Sequence, residues 1–192
     1  MFYWLLVLLS GASPGPSEYT VRLETSKGLI VIAVHRDWAP NGADRFHELV
    51  ETGYYDEARF FRIRAGTWAQ FGIHGEPKVA QAWRTKTIPD DPWKGVSNTR
   101  GTVAYAFKDP NGRTTQVFIN LKDNLALDKS GFAPIGRVVE GMEVVAQLYS
   151  SYGEMAPRGN GPDPQRFERE GKSYLDRAFP RLDYIKRASI LP

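Results

Sequence analysis

The sequence predicts a mainly β fold, a closed antiparallel β-barrel capped by two helices, with an additional helical segment near the C-terminus. Three observations lead to this prediction. Short runs of β-branched and aromatic residues recur along the chain, separated by clusters of Gly, Pro, Asn and Asp. Two stretches carry apolar residues at helical spacing. A third such stretch follows a loop rich in Gly and Pro close to the end of the chain.

The strands begin with a predicted hairpin. Residues 19–25 alternate polar and apolar side chains, Ser26-Lys27-Gly28 has turn chemistry, and residues 29–34 are rich in β-branched residues. A final strand is predicted at residues 184–190, where it would tie the C-terminus into the sheet. Between these lie five more short β-type runs, at residues 60–64, 68–71, 102–107, 116–120 and 135–139.

The first predicted helix precedes Gly53, which stands where a helix C-terminus is commonly capped. A second helix is predicted at residues 142–149, where it would cover a barrel end. Residues 153–164 are crowded with Gly and Pro and predict an exposed loop that leads to a helical segment around residues 167–179. The apolar face of the first helix comprises Ala43, Phe46, Leu49 and Val50.

Composition indicates one ordinary globular domain, with 42% apolar and 24% charged residues in a chain of 192. We assign this domain to residues 18–192, including a C-terminal extension at residues 153–192. The net charge is only +3 and the basic residues are scattered, so no nucleic-acid partner is expected. The chain has no Cys, which excludes disulfides, thiolate nucleophiles and zinc–thiolate sites.

Residues 1–17 predict a signal peptide. The uncharged apolar run at residues 2–9 is too short for a helix that spans a hydrocarbon layer of about 30 Å. Small residues at 10–12 then resemble a cleavage site, although no Lys or Arg precedes the run. We therefore expect export to a periplasmic or extracellular location and no stable membrane span. The alternative is a buried N-terminal strand.

Neither a metal site nor a cofactor is predicted. The three histidines, His35, His47 and His74, have no metal-ligand spacing. Asp90 and Asp91 lie between two prolines and are interpreted as turn-forming acids, because no catalytic partner is evident.

Residues 60–72 contain the most informative pattern. If Ala65-Gly66-Thr67 forms a three-residue hairpin loop, Arg62 faces Gln70 and Arg64 faces Trp68. Opposed residues have Cβ atoms about 5 Å apart, close enough for the Gln70 amide oxygen to accept a hydrogen bond from the Arg62 guanidinium. A solvated Arg on an outward strand face is the alternative interpretation.

The same segment resembles the cyclophilin family, in which a Phe-His-Arg strand is followed eight residues after the Arg by a Gln and then a Gly. Further segments follow in the family's order and spacing, and the resemblance covers roughly residues 19–149. These segments are the strand at residues 101–107, Pro110-Asn111, residues 116–119, Leu127-Asp128 and residues 136–138.

The resemblance implies a peptidyl-prolyl cis/trans isomerase that needs no cofactor and acts on proline-containing polypeptides, here as a monomer. It implies that Arg62 and Gln70 are catalytic. It also implies a groove for the residues before proline and an apolar proline pocket. By resemblance, the substrate-binding residues are Phe61, Trp68, Ala106, Phe107, Gln116, Phe118, Leu127 and Phe132.

Five positions depart from the family pattern, among them Thr67, which replaces a Phe, and Phe132, which stands in for the family's pocket His. Phe61 replaces the His beside the catalytic Arg, and Ala126 stands where many cyclophilins have Trp. Trp68 replaces a Met and would either narrow the pocket or add an aromatic wall. These departures leave a second hypothesis open, in which the chain is a chaperone or scaffold that binds proline-containing segments with little turnover. A third is an envelope structural protein that docks through its last helical segment.

Overall fold

A computed structural model describes residues 15–192. Most of the predicted signal peptide therefore lies outside the described residues. The strands are β1 (Glu18–Thr25), β2 (Leu29–His35), β3 (Arg62–Arg64), β4 (Trp68–Phe71), β5 (Thr102–Tyr105), β6 (Val117–Asn120), β7 (Pro134–Glu140) and β8 (Ile185–Ile190). The α-helices are α1 (Pro40–Glu51), α2 (Pro77–Arg84), α3 (Met142–Ala146), α4 (Pro164–Glu170) and α5 (Lys172–Ala178), and a 3-10 helix spans Leu125–Ser130.

The eight strands form one curled antiparallel sheet in the order β3-β4-β6-β5-β7-β2-β1-β8. Residues next to the two edge strands link them, because Arg59 and Tyr184 form an isolated antiparallel bridge. The predicted mainly β architecture is thus confirmed. The barrel is joined at this seam by an isolated bridge and not by a regular ladder between β8 and β3.

Two helices contact the sheet directly, as predicted. Helix α1 lies against β2, β7 and β8, and α3 lies against β2. The apolar face of α1 is buried in the main core, together with the inward-facing side chains of the strands. Gly53 follows the helix with φ of +68°, a backbone conformation that favours Gly.

The C-terminal extension differs from its prediction in one respect. The single helical segment predicted at residues 167–179 is two helices, α4 and α5, which are separated at Gly171. Gly171 has φ of +67°, and a Cβ there would lie 2.3 Å from the Gly75 carbonyl oxygen, so the close approach requires Gly. Helix α2, which the sequence analysis missed, packs against α4.

A second hydrophobic core joins the extension to the barrel. Its buried members are Phe61, Ile73, Ala80, Phe167, Tyr174, Leu175 and Leu182. Because Phe61 immediately precedes β3, this core fixes the extension beside the first edge strand of the sheet. Within residues 15–192, no helix combines the length and apolar character needed to cross a bilayer.

Candidate active site

The hairpin β3–β4 has the register that the sequence predicts. Arg62 pairs with Gln70, Ile63 with Ala69, and Arg64 with Trp68. The three-residue loop closes through a hydrogen bond of 2.9 Å from the Thr67 N–H to the Arg64 carbonyl. Alternation along the strand then places Arg62 and Arg64 on the same face of the sheet.

The Arg62 guanidinium lies beside the Gln70 amide. Its Nη1 donates to Gln70 Oε1 at 2.9 Å, and Gln70 Nε2 donates in turn to Gln116 Oε1 at 2.9 Å. Gln70 is only 4% exposed, so these bonds hold its amide in one orientation. The guanidinium carbon also lies 4.9 Å from the centre of the Trp68 ring, which is within range of a cation–π interaction.

An apolar cavity of about 210 Å³ opens next to this guanidinium. It is smaller than the roughly 300–1,000 Å³ typical of sites for drug-sized ligands. A cavity of this size has room for a single small ring or side chain. Its walls are formed by Arg62, Trp68, Gln70, Ala106, Phe107, Phe118, Leu127 and Phe132.

Four aromatic rings form a continuous wall around the cavity. Phe118 lies in β6 directly opposite Gln70, and its ring centre is 6.4 Å from that of Trp68. Phe132 packs at 5.8 Å against Phe118 and at 4.4 Å against Phe107. Trp68 therefore contributes an aromatic wall and also lies beneath the Arg62 guanidinium.

Hydrogen bonds from the buried Asn98 fix the 3-10 helix that carries Leu127. Asp128 Oδ1 accepts from both the backbone and the side-chain nitrogen of Asn98, each at 2.8 Å. The Asn98 side chain also donates to the Phe132 carbonyl at 2.8 Å. Burial tends to raise the pKa of Asp128, but hydrogen bonds from Asn98 and Ser97 outweigh it and leave the pKa below its usual value.

Comparison with known proteins identifies the family. The sequence model described as cyclophilin type peptidyl-prolyl cis-trans isomerase/CLD matches residues 20–163. The chain belongs to the cyclophilin family.

Curated relatives of this cyclophilin carry the name of an enzyme. The chain is 36% identical over 134 residues to the peptidyl-prolyl cis-trans isomerase cyp18 of Streptomyces antibioticus, covering 66% of this chain and 80% of the relative. It is 34% identical over 136 residues to peptidyl-prolyl cis-trans isomerase B of Escherichia coli K12, covering 67% and 82%.

Solved structures share the fold at low sequence identity. A cyclophilin type peptidyl-prolyl cis-trans isomerase of Cryptosporidium parvum matches with a TM-score of 0.66 and 18% identity, covering 91% of this chain and 98% of that protein. The cyclophilin AquaCyp293 of Hirschia baltica matches with a TM-score of 0.65 and 17% identity, covering 92% and 75%.

Nine of the ten predicted site residues gather at the cavity of this cyclophilin. Eight line it, and Gln116 adjoins it through Gln70. Phe61 is the exception, because its side chain is fully buried in the second core, where its ring centre lies 6.0 Å from that of Phe167. Phe61 anchors the extension and does not face the cavity, so its assignment to substrate binding is corrected.

Sequence reasoning missed one residue at the site, Glu154. Its carboxylate accepts from Arg62 Nε at 2.6 Å and from Arg62 Nη2 at 2.7 Å. These hydrogen bonds from Arg62 lower the pKa of Glu154, with partial burial opposing them and the Met155 N–H reinforcing them. Within residues 15–192, no group of three or more His, Asp or Glu side chains is arranged to hold a metal ion.

Proposed function

We propose that this cyclophilin accelerates cis/trans rotation of X-Pro peptide bonds without a covalent intermediate, and that Arg62 stabilises the twisted imide. One observation carries the proposal, namely that a guanidinium fixed by Gln70 borders an apolar cavity with room for one small ring. The names of the relatives support the same reaction.

The proposed mechanism follows from the electronic structure of the peptide bond. Resonance between the nitrogen lone pair and the carbonyl opposes rotation with a barrier of about 18–20 kcal/mol. In the twisted state the prolyl nitrogen becomes pyramidal and regains its lone pair. A positioned N–H donor therefore binds the twisted state more strongly than either planar form, which lowers the barrier.

Arg62 suits this role because its guanidinium remains charged and offers five N–H donors in a planar arrangement. Gln70 accepts from one side of the group and fixes its orientation. The aromatic wall would hold the proline ring while the preceding carbonyl rotates, and it would displace water from the twisting bond. No proton transfer is needed, since no covalent bond is made or broken.

The direct test is a cis/trans isomerisation assay on a short proline-containing peptide, with binding of the same peptide measured in parallel. We expect the protein to accelerate isomerisation well above the uncatalysed rate, which has a time constant of tens to hundreds of seconds. If the peptide binds but isomerises only at the uncatalysed rate, catalysis is refuted and the chaperone or scaffold hypothesis is favoured. If the peptide shows no binding and no acceleration, the isomerase hypothesis and the chaperone or scaffold hypothesis are both refuted.

Replacing Phe132 with alanine tests the proline pocket. Phe132 is half-buried and contacts two other aromatic walls, so its removal opens the cavity without emptying the main core. We expect kcat/KM to fall by about tenfold, mainly through a higher KM, because lost apolar contact weakens binding of the ring. Steady-state kinetics of F132A measure the effect. The matched control is W93A, which removes an exposed aromatic side chain away from the cavity and should leave both constants unchanged.

We also propose that the protein is exported and acts as a monomer. The apolar run at residues 2–9 followed by small residues supports export. N-terminal sequencing of the mature protein should find a start near Ser13 or Pro14. A mature protein that retains Met1 would contradict cleavage.

A further inference from the structure

The contact between Glu154 and Arg62 joins the C-terminal extension to the proposed catalytic group. It is a bidentate pair, in which the Nε and Nη2 groups of Arg62 donate to the two oxygens of one carboxylate at 2.6 and 2.7 Å. The two side chains are only 15% and 22% exposed. Bidentate geometry and partial burial distinguish this pair from an ordinary surface salt bridge, which contributes little to the stability of the folded protein.

The loop that carries Glu154 holds the carboxylate in place. Glu154 Oε1 accepts from the Met155 N–H at 2.8 Å, and the Glu154 carbonyl accepts from the Gly161 N–H at 2.9 Å. The loop folds tightly over this carbonyl, because a Cβ at Gly159 would lie only 2.4 Å from its oxygen. The position of Glu154 is therefore determined by the fold of the extension and does not depend on Arg62 alone.

The second core anchors that loop. Met155 and Tyr152, on either side of the loop's start, pack on the core that contains Phe61. Phe61 and Arg62 are adjacent in sequence. Phe61 packs in the core that fixes the extension to the strand, and Arg62 donates hydrogen bonds to the Glu154 carboxylate. The distance between Glu154 and Arg62 is thus set by packing on both sides.

The hydrogen bonds leave part of the guanidinium available. Of the five N–H donors of Arg62, two donate to Glu154 and one donates to Gln70, and Nη1 and Nη2 each keep one N–H without an acceptor among residues 15–192. Glu154 and Gln70 contact different nitrogens, so together they restrict rotation of the group while two donors stay available to a substrate.

We propose that Glu154 is a positioning residue, through which the C-terminal extension orients Arg62 for the isomerase reaction. This inference rests on the proposed function. Without the carboxylate, the guanidinium keeps a single amide acceptor and samples other rotamers, so the N–H donors are less often aimed at the twisted imide. Because orientation matters most in the transition state, the loss appears in kcat and not in KM.

The test compares E154A and E154Q with the unmodified protein, using a proline-containing peptide. We expect E154A to lower kcat by about tenfold or more with KM little changed. E154Q keeps one acceptor oxygen and should recover part of that loss. The matched control is E168A, which removes an acid of the same extension with nearly equal exposure, 23%, that pairs with Arg84 instead. Thermal unfolding of each variant confirms that the fold is retained.

A pH profile separates positioning from a purely structural role. Hydrogen bonds from Arg62 lower the pKa of Glu154, with Arg64 acting in the same direction, while Lys108, Arg158 and Asp163 line the adjoining groove. The pair is therefore intact at neutral pH and is lost only as the pH falls through the lowered pKa of Glu154. We expect kcat to decline in that acidic range for the unmodified protein and to show no such decline for E154Q.

Three results would overturn the inference. Unchanged kinetics of E154A would show that the carboxylate does not orient Arg62. A higher kcat in E154A would show that Glu154 competes with the substrate for the guanidinium. If the unmodified protein is inactive, the proposed function fails and this inference fails with it, whereas an active parent with unaffected Glu154 variants refutes the inference alone.

Discussion

Replacing Arg62 with alanine is expected to lower kcat/KM for a proline-containing peptide by about 10²- to 10³-fold, the usual effect of removing one donor that stabilises a transition state. Arg62 is the cation of the cavity wall whose guanidinium is held on one side by Gln70 and on the other by Glu154. Alanine leaves the aromatic wall in place, so binding of the proline ring should persist. The isomerisation assay should therefore show a fall in kcat with a much smaller change in KM.

The chain provides a matched control for this variant in Arg64. Arg64 lies on the same face of the same strand, and its guanidinium carbon is 5.4 Å from the centre of the Trp68 ring, compared with 4.9 Å for Arg62. It does not line the cavity, so R64A should retain parental kinetics. R62K keeps a charge but loses the planar donor arrangement, and we expect its activity to stay near that of R62A. Parental activity in R62A would rule out the proposed mechanism.

Replacing Asp91 with alanine is expected to lower the free energy of unfolding by about 3–5 kcal/mol, because it removes the carboxylate that is hydrogen-bonded to a buried cation and leaves only the partly exposed Asp90 beside it. The Asp91 carboxylate is 0% exposed and lies 3.1 Å from Arg113 Nη1, whose side chain is 1% exposed. Asp91 also accepts from the backbone N–H groups of Asn41 and Gly42 at 2.9 and 2.8 Å. These groups belong to the first turn of α1, whose own N-cap residue provides no side-chain hydrogen bond.

Urea unfolding of D91A measures this effect, and D90A is the control. Asp90 is 33% exposed and accepts one backbone hydrogen bond, from Asn111 at 2.9 Å. Its carboxylate lies 3.2 Å from Arg113 Nε without the alignment of a hydrogen bond. We therefore expect D90A to lower the free energy of unfolding by about 1 kcal/mol. An equal loss of unfolding free energy in D90A and D91A would contradict the role of Asp91 as the hydrogen-bonded partner of Arg113.

The effect of D91A should extend to the cavity. Arg113 Nη2 donates to the Gly131 carbonyl at 3.2 Å, and its guanidinium carbon lies 5.5 Å from the centre of the Phe107 ring. Gly131 directly precedes Phe132. Without Asp91, the Arg113 side chain would hold the Phe107 and Phe132 rings of the aromatic wall less firmly. We therefore expect the KM of D91A to rise even at temperatures where the protein remains folded.

The strands and the β3–β4 hairpin could be predicted from the sequence because their determinants are local. A three-residue loop with Gly66 in the left-handed region fixes which residues oppose each other, and this alone places Arg62 beside Gln70. The remaining walls of the cavity could be predicted only through the family resemblance. Phe118 and Phe132 belong to separate segments, and nothing in their spacing indicates that they meet.

Long-range contacts account for the residues that the sequence analysis missed. Glu154 is 92 positions from Arg62 and lies in a loop that resembles any exposed segment rich in Gly and Pro. Asp91 stands next to Pro92 in a segment typical of turns, and its ion pair with Arg113, 22 positions away, has no local signal. Phe61 was assigned by its family position, whereas its burial depends on α4, which the resemblance did not cover.

The pairing of β1 with β8 has a consequence for how the chain folds. Val21 is aligned with Ile190, so the first and last strands of the domain are neighbours. During synthesis, the outer edge of β1 lacks its partner until β8, the last strand of the sheet, has emerged. Such high contact order favours slow folding, and the unpaired edge is exposed to aggregation in the meantime. Pairing with β8 therefore covers a strand edge that would otherwise be open to another chain.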